Sequence, residues 1–155
     1  MASGSVRRFR DALASAGLSD TVVELQQSAR TAREAADALG CEVGQIVKSL
    51  VFADGDGEPL LVLAAGDVRV DEARVAALHG APVSLGDARF VRATAGYAIG
   101  GVPPFGHTRP LVTLVDRSLD RWDTVWAASG TPHHVFSLAF GDLVRVTGGR
   151  LSDVG

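Results

Sequence analysis

The sequence predicts a mixed α/β fold, a curled mixed β-sheet or small barrel flanked by helices. Three observations predict it. Apolar runs of strand length, at 45–53, 60–65, 111–115, 124–128 and 134–138, alternate with segments of helical periodicity. These strands are apolar on both faces, as in a sheet with helices packed outside it. The chain has 155 residues, 46% hydrophobic and 21% charged, which suits one core, so 1–155 is expected to be one domain.

Residues 5–16 place Val6, Phe9, Leu13 and Ala16 at spacings of three and four, an amphipathic helix. A short strand is expected at 22–25. Thr31-Ala32-Arg33-Glu34 reads as a capping box, in which the threonine hydroxyl takes an N–H and the glutamate reaches back. The alanine-rich helix behind it should end at Gly40. The strands at 45–53 and 60–65 are joined by Asp54-Gly55-Asp56-Gly57-Glu58-Pro59, a hairpin turn by composition. Asp71 should cap a helix running to Leu78, and another helix is expected across 86–94. The glycine- and proline-rich segment 96–110 reads as a loop, ordered or disordered. A helical turn at 118–122 and a small helix at 140–146 complete the set.

Composition narrows the function. A net charge of −3 argues against wrapping long nucleic acid on a broad basic face, but not against gripping a single-stranded end. Arg7, Arg8 and Arg10, then Arg30 and Arg33, then Arg89 and Arg92, form local clusters that read first as solvated faces. No apolar run is long enough to span a bilayer, and the opening residues lack the apolar stretch of a secretory signal. The single cysteine, Cys41, excludes an internal disulfide framework and fits a reducing cytoplasm.

Of fifteen basic residues, fourteen are arginine and one is lysine. That lysine, Lys48, lies inside Gln45-Ile46-Val47-Lys48-Ser49-Leu50-Val51-Phe52. Strand alternation puts it on the face of Ile46, Leu50 and Phe52. A buried ammonium costs several kcal/mol unless it is paired or lowers its pKa. Two readings stand: a lysine snorkelling past the core to the strand end, or a functional group.

Gly100-Gly101-Val102-Pro103-Pro104-Phe105-Gly106 also calls for an explanation. Gly101 to Thr108 nearly matches a phosphate-binding loop, with His107 where lysine belongs. Pro103 and Pro104 remove two of the N–H groups such a cradle uses, which excludes it. The loop instead offers rigidity and glycine N–H groups that suit a small polar group or an oxyanion. A purely structural turn is the alternative. Histidines 79, 107, 133 and 134 have no metal-ligand spacing, so no metal and no cofactor are expected. Ser129 lacks a nucleophile-elbow setting, and Cys41 reads as a small core residue. An enzyme without a nucleophile or metal needs an activated substrate.

Together these residues resemble the YbaK/ProX family of aminoacyl-tRNA deacylases. The carriers are Thr31 to Ala36, Gln45 to Phe52, Gly96-Tyr97, Gly100 to Gly106, Val115-Asp116 and Ala128-Ser129-Gly130. The resemblance runs from the capping box to near the C-terminus, about four-fifths of the chain. The resemblance implies a trans-editing hydrolase that removes a small wrong amino acid from mischarged tRNA, most often tRNA for proline. It implies Lys48 and Gly101 as the catalytic pair. Ser49, Gly100, Val102, Pro103, Pro104, Phe105, Gly106, Ser129 and Gly130 would bind the substrate, with the substrate carbonyl beside Gly101. The position after the lysine varies within the family; Ser49 leaves alanine, serine, threonine and cysteine open. The implied partners are the acceptor end of mischarged tRNA and an aminoacyl-tRNA synthetase. A non-catalytic module of the same fold, binding a tRNA end or a synthetase, is the alternative.

Overall fold

The computed structural model describes residues 2–155, with side chains from residue 4 onward. Helix α1 (Ala2–Ser15) buries Val6, Phe9 and Leu13, the predicted apolar stripe. Strand β1 (Val23–Glu24) follows. Helix α2 (Ala32–Leu39) starts with the predicted capping box at Thr31 and Glu34 and ends at Gly40 in the left-handed conformation. A 3-10 turn (Val43–Gln45) leads into β2 (Ile46–Asp54). The hairpin to β3 (Pro59–Ala65) forms as expected: Asp54 Oδ1 accepts the N–H groups of Asp56 and Glu58 and holds the turn.

Asp71 and Asp87 cap α3 (Glu72–His79) and α4 (Ala88–Ala95). Beyond the 96–110 loop come β5 (Val112–Asp116), a 3-10 turn (Arg117–Arg121), β6 (Thr124–Ala128), β7 (His134–Ala139) and α5 (Phe140–Thr147). Two strands went unpredicted, β4 (Val83–Leu85) and β8 (Arg150–Ser152), each of three residues.

The eight strands form one mixed sheet in the order β1-β7-β6-β2-β3-β5-β8, with β4 attached to β2. Among the described residues this pairing runs from β1 to β8 without closing into a ring. The β2–β3 hairpin is its centre. Every residue of β3 is buried, as a strand covered on both faces must be. One face packs Val47, Val51, Leu61 and Leu63 against Phe9, Leu13, Phe105 and Phe136. The other packs Phe52, Leu60, Val62 and Ala64 against Val75 and Val83.

The two edges of β2 are treated differently. One pairs with β3 from Val47 to Ala53. The other meets β6 in parallel at Ile46 and Val47, then β4 antiparallel from Phe52 to Asp54. Between those two partners the outer edge of residues 48–51 has no strand beside it.

Candidate active site

A cleft of about 750 Å³ opens at this interruption. Lys48 and Ser49 line it from β2, Gly66 and Asp67 from the turn after β3, Ile99, Gly100 and Val102 from the loop, and Arg30, Thr31 and Arg33 from the start of α2. Trp126, Thr131 and Pro132 complete the wall.

Lys48 does not snorkel straight to solvent. Its Nζ donates to the Val68 carbonyl at 2.6 Å, which draws the tip across the end of β3. Burial lowers its pKa, and the carboxylates of Asp116 and Asp67 oppose that shift in part. Asp67 is itself forked by Arg121, at 3.0 and 2.8 Å, and this hydrogen bonding lowers the Asp67 pKa. An ammonium has three donors, and the Val68 carbonyl uses one. Asp116, buried at the end of β5, accepts the Ala65 N–H at 2.9 Å and the Ser118 N–H and hydroxyl. It thereby fixes the turn that holds Val68.

Elsewhere on the cleft wall, Ala98-Ile99-Gly100-Gly101 make a tight turn closed by the Gly101 N–H on the Ala98 carbonyl at 2.9 Å. Gly100 takes φ 92°, the left-handed value a type II turn needs at its third position. This corrects the expectation for Gly101. Its N–H is already committed, and its carbonyl accepts the Gly130 N–H at 3.0 Å. A β-carbon there would lie 2.7 Å from the Gly130 oxygen and the Thr131 Cα, so it would meet the protein's own backbone and not a substrate. The neighbouring N–H groups of Gly100 and Val102 have no acceptor among the described residues, and both residues line the cleft.

The remaining expected contacts divide. Ser49 lines the cleft, and its Oγ is buried without a hydrogen-bond partner. Pro103, Pro104, Phe105 and Gly106 stand behind the wall. The Pro103 carbonyl meets His107 Nε2 at 2.7 Å, Phe105 packs on Phe9 and Phe136, and Gly106 backs onto Ala12. Ser129 and Gly130 also lie outside the lining. Gly130, at φ 120°, presses against the backbone of Ser5 and Val6. These six residues position the wall and do not form it.

Sequence reasoning missed Asp67, Ile99, Thr131 and Trp126, and read Arg30 and Arg33 as a solvated face. Both arginines are exposed at the rim, and among the described residues neither forms an ion pair. Among the described residues no three His, Cys, Asp or Glu side chains converge as metal ligands.

A sheet interrupted beside a lone lysine, walled by a turn with unpaired N–H groups and rimmed by arginines, makes a cleft whose chemistry suits a polar, anionic ligand end. Residues 26–146 match the aminoacyl-tRNA editing domain, and the chain belongs to that family. It is 32% identical over 117 residues to the uncharacterized protein YwhH of Bacillus subtilis (strain 168), across 76% of this chain and 74% of that protein. It is 24% identical over 125 residues to EbsC of Enterococcus faecalis (strain ATCC 700802 / V583), a candidate Cys-tRNA(Pro)/Cys-tRNA(Cys) deacylase, across 80% of this chain and 76% of that one. A crystal structure of a candidate trans-editing enzyme for prolyl-tRNA synthetase superposes with a TM-score of 0.91 at 44% identity, covering 97% of this chain and 96% of the other.

Proposed function

We propose that this protein hydrolyses the ester of a mischarged tRNA in trans, removing a small wrong amino acid, with tRNA for proline as its carrier. The observation that carries this reading is the meeting, in one cleft, of the Lys48 ammonium and the unpaired N–H groups of Gly100 and Val102. An aminoacyl ester has a good leaving group and a neighbouring ribose hydroxyl that helps activate water, so a protein nucleophile is not required. Water adds to the ester carbonyl, the loop N–H groups bind the developing oxyanion, and the terminal ribose oxygen leaves with a proton. Lys48, with two donors to spare, orients the terminal nucleotide. Arg30 and Arg33 meet the phosphates of the single-stranded end, which reconciles tRNA recognition with a net charge of −3. A synthetase is the expected partner for holding the rest of the tRNA.

The test is a panel of alanyl-, seryl-, threonyl-, cysteinyl- and prolyl-tRNA for proline. One or more small esters should be cleaved and the prolyl ester spared, because steric rejection by a stiff wall exceeds the small penalty for a missing methylene. Equal cleavage of all five would remove the size sieve. No cleavage of any would leave a binding module in place of a hydrolase.

A further inference from the structure

We propose that the main chain of Ser49 reads the aminoacyl group as a strand residue, so that a free α-amino group is a condition of recognition. The identity of the ligand rests on the editing reading above; the recognition itself rests on the sheet.

Along β2, alternate residues turn their peptide groups to opposite edges. The Ile46 carbonyl accepts from Gly66 at 2.7 Å on the β3 side, whereas the Val51 carbonyl accepts from Gly86 at 2.9 Å on the outer side. The odd-numbered residues therefore face outward. Pairing with β6 ends at Val47, opposite Ala127, and pairing with β4 begins at Phe52, opposite Leu85. Ser49 lies between, with its N–H and C=O directed into a gap that no strand fills. Its Oγ, buried and unpartnered, lies at the same place. Unpaired peptide groups at a sheet edge are a template for one more strand residue.

An aminoacyl ester has the matching pattern. Its α-ammonium is a donor and its carbonyl an acceptor, separated by one Cα. Opposite Ser49 in an antiparallel hydrogen-bonded pair, the ammonium donates to the Ser49 carbonyl, and the ester carbonyl accepts from the Ser49 N–H. The first contact is charge-assisted and so the stronger of the two. Directly opposed residues share a face of the sheet. The substrate side chain therefore falls on the Ser49 side, away from Lys48, beside a notch of about 70 Å³ walled by Val51, Leu85, Val91, Ile99 and Val102. That notch holds about two water-sized groups, which matches a small side chain.

The experiment uses the full chain with non-hydrolysable adenosines carrying alanine in amide linkage at the 3′ position, and the lactyl analogue, in which a hydroxyl replaces the ammonium. The alanyl form should bind at least about tenfold more tightly and should move the backbone amide resonances of Ser49 and Val51. Its N-acetylated form should bind no better than the lactyl one. Equal affinities, or an unmoved Ser49 amide, would overturn the proposal. Ser49→Ala should keep the alanyl-to-lactyl ratio; its loss would assign the contact to the hydroxyl and overturn the main-chain reading. Amino selectivity in binding without cleavage of any aminoacyl-tRNA would sink the hydrolase and leave the recognition standing. Equal acceleration over water for alanyl- and lactyl-tRNA would do the reverse.

Discussion

Gly101→Ala tests the architecture of the cleft wall most directly. The added β-carbon would lie 2.7 Å from the Gly130 oxygen, 2.7 Å from the Thr131 Cα and 2.8 Å from the Gly130 carbonyl carbon. Comfortable carbon contacts lie near 3.5–4.0 Å, so about 1 Å of backbone movement is needed. Neither side yields easily. Gly130 is bonded to the Gly101 carbonyl at 3.0 Å and backed by the start of α1, where a β-carbon of its own would come 2.9 Å from Ser5. Overpacking of this kind costs about 1–3 kcal/mol, and a distorted hydrogen bond adds about 1 kcal/mol. For a chain of this length each kcal/mol shifts Tm by about 2–4 °C, so a fall of roughly 5–15 °C is expected. Well below Tm, deacylation should still drop at least about tenfold for every substrate, whatever its size, because the N–H groups of Gly100 and Val102 move with the turn. Gly141→Ala, in α5 with open space around it, is the control, and helix propensity should raise its Tm slightly. Calorimetry and single-turnover deacylation read both effects. A Gly101→Ala protein that melts with the wild type and keeps its rate would refute the account of the pinned wall.

Three further outcomes are expected. Lys48→Ala should keep the fold by circular dichroism and lose at least about tenfold in deacylation. Lys48→Arg should fail as well, since a planar fork cannot replace a compact ammonium; a wild-type rate in either would make Lys48 structural. Replacing Arg30 and Arg33 together by alanine should raise KM, spare kcat and flatten the salt dependence by about 0.7 in slope per lost phosphate contact, and an unchanged slope would take the rim off the RNA path. Burial lowers the His107 pKa below its usual 6.5, with the Pro103 carbonyl partly offsetting the shift. The unfolded chain therefore takes up the proton first as pH falls, and stability is lost from about pH 6.5 down to the depressed value. His107→Gln should lose less between pH values of about 7.5 and 5.5, read as urea midpoints; equal losses would remove His107 from the balance.

What could be read from the sequence was what depends on neighbours along the chain. The capping box at Thr31, the Asp54–Pro59 turn and the stripe of Val6, Phe9 and Leu13 each need only a few adjacent residues, and each is present as expected. Strands β4 and β8 escaped because three residues carry no period; they are strands only because β2 and β5 offer them an edge. Lys48 stood out as the lone lysine in an apolar run, but its hold on Val68 depends on where β3 ends. The error over Gly101 had an available remedy, because glycine at the third place of Ala98-Ile99-Gly100-Gly101 already marks a turn that uses the fourth residue's N–H. The gap beside Ser49 was not legible at all, since it depends on where two distant strands stop along β2.

The two sides of the cleft belong to different parts of the packing, and this bears on selectivity. Lys48 reaches over the face built on Phe52, Leu60, Val62 and Ala64, whereas Val102 and Phe105 anchor the loop in the other core with Phe9 and Phe136. The ring centroids of Phe9 lie 5.2 Å from Phe105 and 4.6 Å from Phe136, so α1, the loop and β7 form one aromatic cluster. Pro103 and Pro104 suit that burial because they bring no N–H that would need a partner, and the Pro103 carbonyl is met by His107. At Pro103 and Pro104 the loop can thus be sunk in the core with no N–H to satisfy, while Gly100 and Val102 line the cleft with N–H groups that have no acceptor among the described residues. Interiors are packed too tightly to deform by degrees. The width of the proposed sieve is therefore set by how α1 seats on Phe105 and Gly106, several residues behind any atom the substrate would touch.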